Sequence, residues 1–203
     1  MTRRLRRLVV LGGSGLGIAW LLDRQLRRRA EADEIPAPTD PIRAAVLVRA
    51  PIDRTWDELT DIPGQVRWMA DMKSVRILTP GPVAVGTRAE ATIRVLGVTV
   101  IDPVVVTAWE PPRRFGIEHL GFVKGHGLIE LDPGDDPGTT RVAWGEVLVP
   151  PVFPHLGSLV LRALYGPILQ DDLDAFAEIV EASVDRSVDR SVDRSLDRPF
   201  EAT

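Results

Sequence analysis

Apolar and polar positions alternate from Ile42 to Ala50, with Ala44, Val46 and Val48 on one face and Arg43, Leu47 and Arg49 on the other. That period of two predicts a half-buried strand. The pattern then changes. Pro51 is suited to the first turn of a helix, and Trp56 and Leu59 fall three apart, on one helical face. Ile62-Pro63-Gly64 should break that helix, with a short second helix over Gln65–Ala70 carrying Trp68 and Met69. Strands are then predicted at Val75–Thr79, Gly86–Arg94, Val98–Trp109 (bent near Asp102-Pro103), Arg114–Leu120, Val123–Asp132 and Thr139–Val149. In Gly86–Arg94 the alternation sets Thr87, Ala89, Ala91 and Ile93 against Arg88, Glu90, Thr92 and Arg94, a sheet with one wet face.

Only after the last strand does a long helical stripe run: Leu156, Leu159, Val160, Ala163, Leu164, Ile168, Leu173, Phe176, Ala177 and Val180. Gly166-Pro167 should kink or split it. One strand, two short helices, a run of antiparallel strands and a closing helix make an α+β layer, in which the sheet must wrap the helix to cover its apolar stripe.

Several motifs in this order carry a family resemblance over Ile42–Ala182. They are A-P-x(4)-W-x-x-L-x-D at Ala50–Asp61, Trp68-Met69, V-G-T-R at Val85–Arg88, W-E-P-P at Trp109–Pro112, and G-T-T-R-V-x-W at Gly138–Trp144. Together they resemble the SRPBCC, or START-like, helix-grip superfamily of polyketide cyclases/dehydrases and lipid-transport proteins. The resemblance implies an elongated hydrophobic cavity between sheet and C-terminal helix that holds a lipid-, quinone- or polyketide-like molecule. Some members are enzymes and many are carriers.

The flanks are of a different kind. Residues 1–29 hold eight Arg and one Asp, a formal +7, which leaves −11 for the rest of a chain whose total is −4. These arginines bracket the apolar run Leu8–Leu22, so a membrane is a better partner than nucleic acid. Fifteen residues make a helix of about 22 Å, short against a hydrocarbon core of about 30 Å. Snorkelling Arg side chains and an interfacial Trp20 favour an uncleaved single-pass anchor, with a cleaved export signal as the alternative. The side of the membrane is undetermined, because four Arg flank each end. Gly12, Gly13, Gly15 and Gly17 match neither dinucleotide-binding glycine spacing. Residues 30–41, acidic and with three prolines, form a linker; residues 42–182 form the ligand-binding domain. Residues 183–203 form a tail built on four S-V/L-D-R repeats, read as a frayed extension of the last helix.

With no cysteine, disulfides and thiolate metal sites are excluded. No nucleophile elbow, P-loop, zinc motif or EF-hand occurs, and no metal or cofactor is expected. Strand parity supplies the candidates for chemistry. If Phe115 and Ile117 face inward, so does His119; if Val142 and Trp144 do, so does Glu146. Tyr165, near the expected helix break, is a third polar candidate. The cavity lining is expected to include Trp68, Met69, Ile93, Phe115, Ile117, His119, Val142, Trp144 and Glu146. His126 has solvent parity, and His155 sits at the start of the last helix. Two functions are consistent with this pattern: a membrane-tethered binding or transfer protein, or a polyketide cyclase/dehydratase using His119 and Glu146 as acid and base. Oligomeric state is not legible.

Overall fold

The computed structural model describes residues 3–95 and 97–196. A helix α1 (Arg3–Glu31) precedes strand β1 (Ile42–Val48), helix α2 (Ile52–Thr60) and a 3-10 turn at Ile62–Arg67. Strands β2 (Met72–Ile77), β3 (Arg88–Val95), β4 (Val98–Glu110), β5 (Arg114–His119), β6 (Lys124–Pro133) and β7 (Thr140–Val149) follow, and helix α3 (Pro154–Leu196) closes the chain. The strands form one seven-stranded sheet in the order β1-β7-β6-β5-β4-β3-β2, antiparallel throughout. Sequence-adjacent strands pair as hairpins from β2 to β7, and β1 returns beside β7. The fold is α+β and helix-grip-like.

The alternation puts apolar side chains on one face of this sheet. Ile42, Ala44 and Val48 of β1, Ala89 and Ala91 of β3, Ile129 and Leu131 of β6, and Val142 and Trp144 of β7 are all buried. On the same side lie Leu169, Leu173, Phe176 and Val180 of α3, each fully buried at helical spacing. Trp56 and Leu59 of α2 complete the core. Two edge-on aromatic contacts tie the layers together, Trp56 to Trp109 at 5.3 Å and Trp68 to Phe176 at 5.1 Å between ring centroids, and Trp109 packs edge-on against its cross-strand partner Phe115 at 5.8 Å.

Five local expectations need correction. The first helix ends at Thr60, before the expected break, but the second element starts at Ile62 rather than Gln65 and is a 3-10 turn, because Pro63 is tolerated in a first turn whose N–H groups lack intrahelical partners; the Asp61 carboxylate accepts from Gly64 N–H there. Trp68 ends that turn, so it and Met69 sit on the connection to β2 rather than on a second helix. In β4 the irregularity falls between Val106 and Ala108, whereas pairing with β3 continues through Asp102 and Pro103. Pro167 does not split α3: it lies exposed within one continuous helix. The apolar stripe is buried only on the C-terminal side of that proline, and Val160 and Leu164 face solvent.

The fifth correction concerns the N terminus. No helix among the described residues is long and apolar enough to cross a membrane. The uncharged run is limited to Leu8–Leu22 and diluted by Gly and Ser, while the helix containing it extends into Arg-rich turns at both ends. Its C-terminal half docks on the start of α3, where Asp23 Oδ1 accepts from Leu156 N–H at 2.9 Å. Residues 32–41 run as turns, bends and irregular chain, and Arg162 donates to the Asp40 and Pro41 carbonyls. α3 continues through the first repeats, and Val184 packs on the core; residues 197–203 of the tail lie outside the described residues.

Phe176 fills the contact between α3 and Trp68. Phe176→Ala is expected to lower unfolding free energy by about 3–5 kcal/mol, measured by urea denaturation. A loss below about 1 kcal/mol would mean that α3 is not clamped there.

Candidate functional site

A cavity opens between the inner sheet face and α3, beside the end of α3's buried stripe. Its lining comes from the Ile62–Met72 segment (Gln65, Trp68, Met69), from β3 (Ala89, Ala91, Ile93), from β4 to β7, and from α3 through Tyr165 alone. Its atom-free space, mouth included, is about 910 Å³. Most of the wall is hydrocarbon or aromatic, as in small-molecule sites generally.

At one end, three ionisable side chains from three strands meet. His119 ends β5, Asp102 lies on β4, and Glu146 lies on β7. His119 Nδ1 is 2.6 Å from Asp102 Oδ2, and His119 Nε2 is 2.7 Å from Glu146 Oε1. The second Glu146 oxygen accepts from Trp144 Nε1–H at 2.9 Å, the two residues being neighbours on one face of β7. Gly127, opposite Glu146 in the β6–β7 register, makes room for this: a Cβ there would stand 2.5 Å from Glu146 Oε2.

Burial alone would lower the pKa of His119, but its hydrogen bonds to Asp102 and Glu146, with the charge of both, more than reverse that and hold it at about 10 against an ordinary 6.5. The ring is therefore an imidazolium at neutral pH, donating from both nitrogens to two carboxylates.

A second polar group closes the opposite wall. Tyr165 O–H donates to Asp71 Oδ2 at 2.6 Å, and Asp172 Oδ1 accepts from Ala70 N–H at 2.9 Å. Two carboxylates thus fasten the Trp68–Met72 segment to α3. Burial, then the Asp71 charge and this hydrogen bond, push Tyr165 far above its usual range and keep its hydroxyl protonated. Burial likewise raises Asp172, to about 6, with Asp71 and Asp171 adding to the rise and the Ala70 N–H opposing it.

The structure brings together nearly all of the residues expected from sequence. Trp68, Met69, Ile93, Phe115, Ile117, His119, Trp144, Glu146 and Tyr165 line the cavity. Val142 does not: it is fully buried in the core behind the wall, packed under β1 and α3. His126 pairs with Glu118 on the outer sheet face and is exposed, so it stands away from His119. His155 lies in the first turn of α3, with Nδ1 3.6 Å from Asp23 Oδ2. Two residues were missed. Asp102 shares strand parity with Val104 and Val106, which also line the cavity, so alternation could have found it had Pro103 not suggested a bend. Asp71 sits in an irregular connection, where no periodicity signals its direction.

Residues 41–181 match the family described as polyketide cyclase / dehydrase and lipid transport. No curated protein matches the chain. Among solved structures, it is similar in fold to the Zhui aromatase/cyclase from a Streptomyces species, at 20% identity and a TM-score of 0.59 over 71% of this chain and 94% of that one. It is also similar to a START superfamily protein from Mycobacterium smegmatis, at 16% identity and a TM-score of 0.57 over 70% and 98%. A third similar structure is a protein from Thermus thermophilus, at 18% identity and a TM-score of 0.58, again over 70% and 98%. Identities this low carry the fold alone.

The imidazolium generates a pH prediction. Because the folded pKa of His119 lies above its unfolded value, the proton's stabilising contribution is complete below pH 6.5 and is lost as pH rises towards about 10. The urea midpoint should therefore fall across that interval, and His119→Gln should flatten the slope. A wild-type slope retained in the variant would show that another group titrates.

Proposed function

The chain belongs to the polyketide cyclase/dehydrase and lipid-transport family, and on that premise we propose that it binds a hydrophobic small molecule in the cavity beneath α3 without transforming it. The observation that carries this reading is that both ring nitrogens of His119 are engaged by carboxylates. A general base needs a free lone pair within reach of the substrate, and a doubly hydrogen-bonded imidazolium has none. The competing reading, a cyclase or dehydratase with His119 and Glu146 as acid and base, would require this network to open on substrate binding.

Native mass spectrometry with solvent extraction on the full chain, purified without detergent, tests the proposal. The expected result is a stoichiometric apolar ligand, or uptake of one added lipid, quinone or aromatic polyketide per chain. A chain that neither carries nor takes up any of these would overturn it.

We extend the reading to attachment at a membrane surface through α1. Leu16, Ile18, Trp20 and Leu21 are each more than half exposed, and the Arg24 guanidinium stacks 5.5 Å from the Trp20 ring centroid. Apolar side chains followed by Arg24, Arg27, Arg28 and Arg29 suit a helix lying in an anionic interface rather than across it. The full chain should co-sediment with vesicles containing phosphatidylglycerol, and Trp20→Ser with Leu21→Ser should release it. A wild-type chain that stays in the supernatant would remove the tether.

A further inference from the structure

The cavity's charges and spare hydrogen-bonding capacity narrow its ligand. The ionisable side chains lining it are Asp102, His119, Glu146 and Tyr165, and among the described residues no Lys or Arg lines it. Two carboxylates and one imidazolium leave the polar end with a formal charge of −1. An anionic head group entering there would be desolvated beside carboxylates with no cation to receive it, which is strongly unfavourable.

The donors are largely spent as well. His119 gives both N–H groups to carboxylates, Trp144 gives its N–H to Glu146, Tyr165 gives its O–H to Asp71, and Gln65 Nε2 donates to Leu59 O at 3.0 Å. What remains is chiefly acceptor capacity, since each carboxylate oxygen can take more than one hydrogen bond.

Resting on the ligand-binding reading above, we infer that the cavity takes an apolar molecule whose polar end donates hydrogen bonds to the Asp102–Glu146 carboxylates, an alcohol, phenol or ammonium, and that it discriminates against carboxylates and phosphates. A hydroxyl or an ammonium supplies the donor that these acceptors lack; a carboxylate only accepts, and it adds a like charge.

Isothermal titration calorimetry of the full chain with 2-naphthol, 2-naphthoate and 2-naphthylmethylammonium tests this on one ring skeleton. 2-Naphthol and 2-naphthylmethylammonium should both bind, with 2-naphthoate weaker than either by at least about tenfold, the scale of leaving buried polar groups mispaired. Asp102→Asn, which removes one charge and keeps an acceptor for His119, should narrow the naphthol-to-naphthoate gap by about threefold or more. Naphthoate binding as tightly as naphthol or the ammonium, or an unchanged gap in the Asp102→Asn chain, would each overturn the inference while leaving ligand binding intact. Failure of all three probes, together with no uptake of lipid or quinone, would instead remove the ligand-binding reading and this one with it.

Discussion

Everything in this molecule depends on covering the apolar face of α3. Leu169, Leu173, Phe176 and Val180 are fully excluded from water, covered by the inner face of the sheet with Trp68 packed against Phe176. Burying such a face is worth roughly 1.5–3 kcal/mol for each large side chain, so the sheet is committed to α3 along that length. The commitment ends near Pro167. On the N-terminal side of it, α3 turns Val160 and Leu164 to solvent and contributes to the interior wall only through Tyr165. The cavity is the space the sheet encloses where the helix no longer fills it.

An opening lined by hydrocarbon can hold charged groups only if they satisfy one another. This accounts for the form of both polar clusters. Asp102, His119 and Glu146 reach across three strands to make one connected network, and Trp144 supplies the remaining donor to Glu146. Asp71 and Asp172 are satisfied by Tyr165 and the Ala70 N–H, which also pins the Trp68–Met72 segment against α3. The same carboxylates that stabilise the imidazolium set the sign of the potential inside the cavity. Local stability and ligand preference therefore share one cause.

The outer surface follows a different logic. Exposed ion pairs such as Arg76–Glu90 at 2.7 Å and Arg49–Glu181 at 2.6 Å decorate the wet face of the sheet and the end of α3. Pairs of this kind contribute about 0–1 kcal/mol each. They keep the surface soluble and contribute little to the fold. One departure from this pattern is α1, where Leu16, Ile18, Trp20 and Leu21 are presented outward beside a run of arginines.

By itself the sequence determined the periods. Alternation in β1, β3, β5 and β7 identified which side chains face inward, so His119 and Glu146 could be assigned to the interior from parity alone, and the 3.6-residue stripe identified α3 as the closing element. The tertiary structure decided what parity cannot carry: that Asp102, 17 residues before His119, completes the network; that Val142 lies behind the wall rather than in it; and that Pro167 leaves α3 whole. It also decided that Asp71 meets Tyr165 across 94 residues of chain. Periodicity is a property of one segment and its nearest solvent boundary, whereas a hydrogen bond between strands depends on register, and register is set by the packing of the whole sheet against its helix.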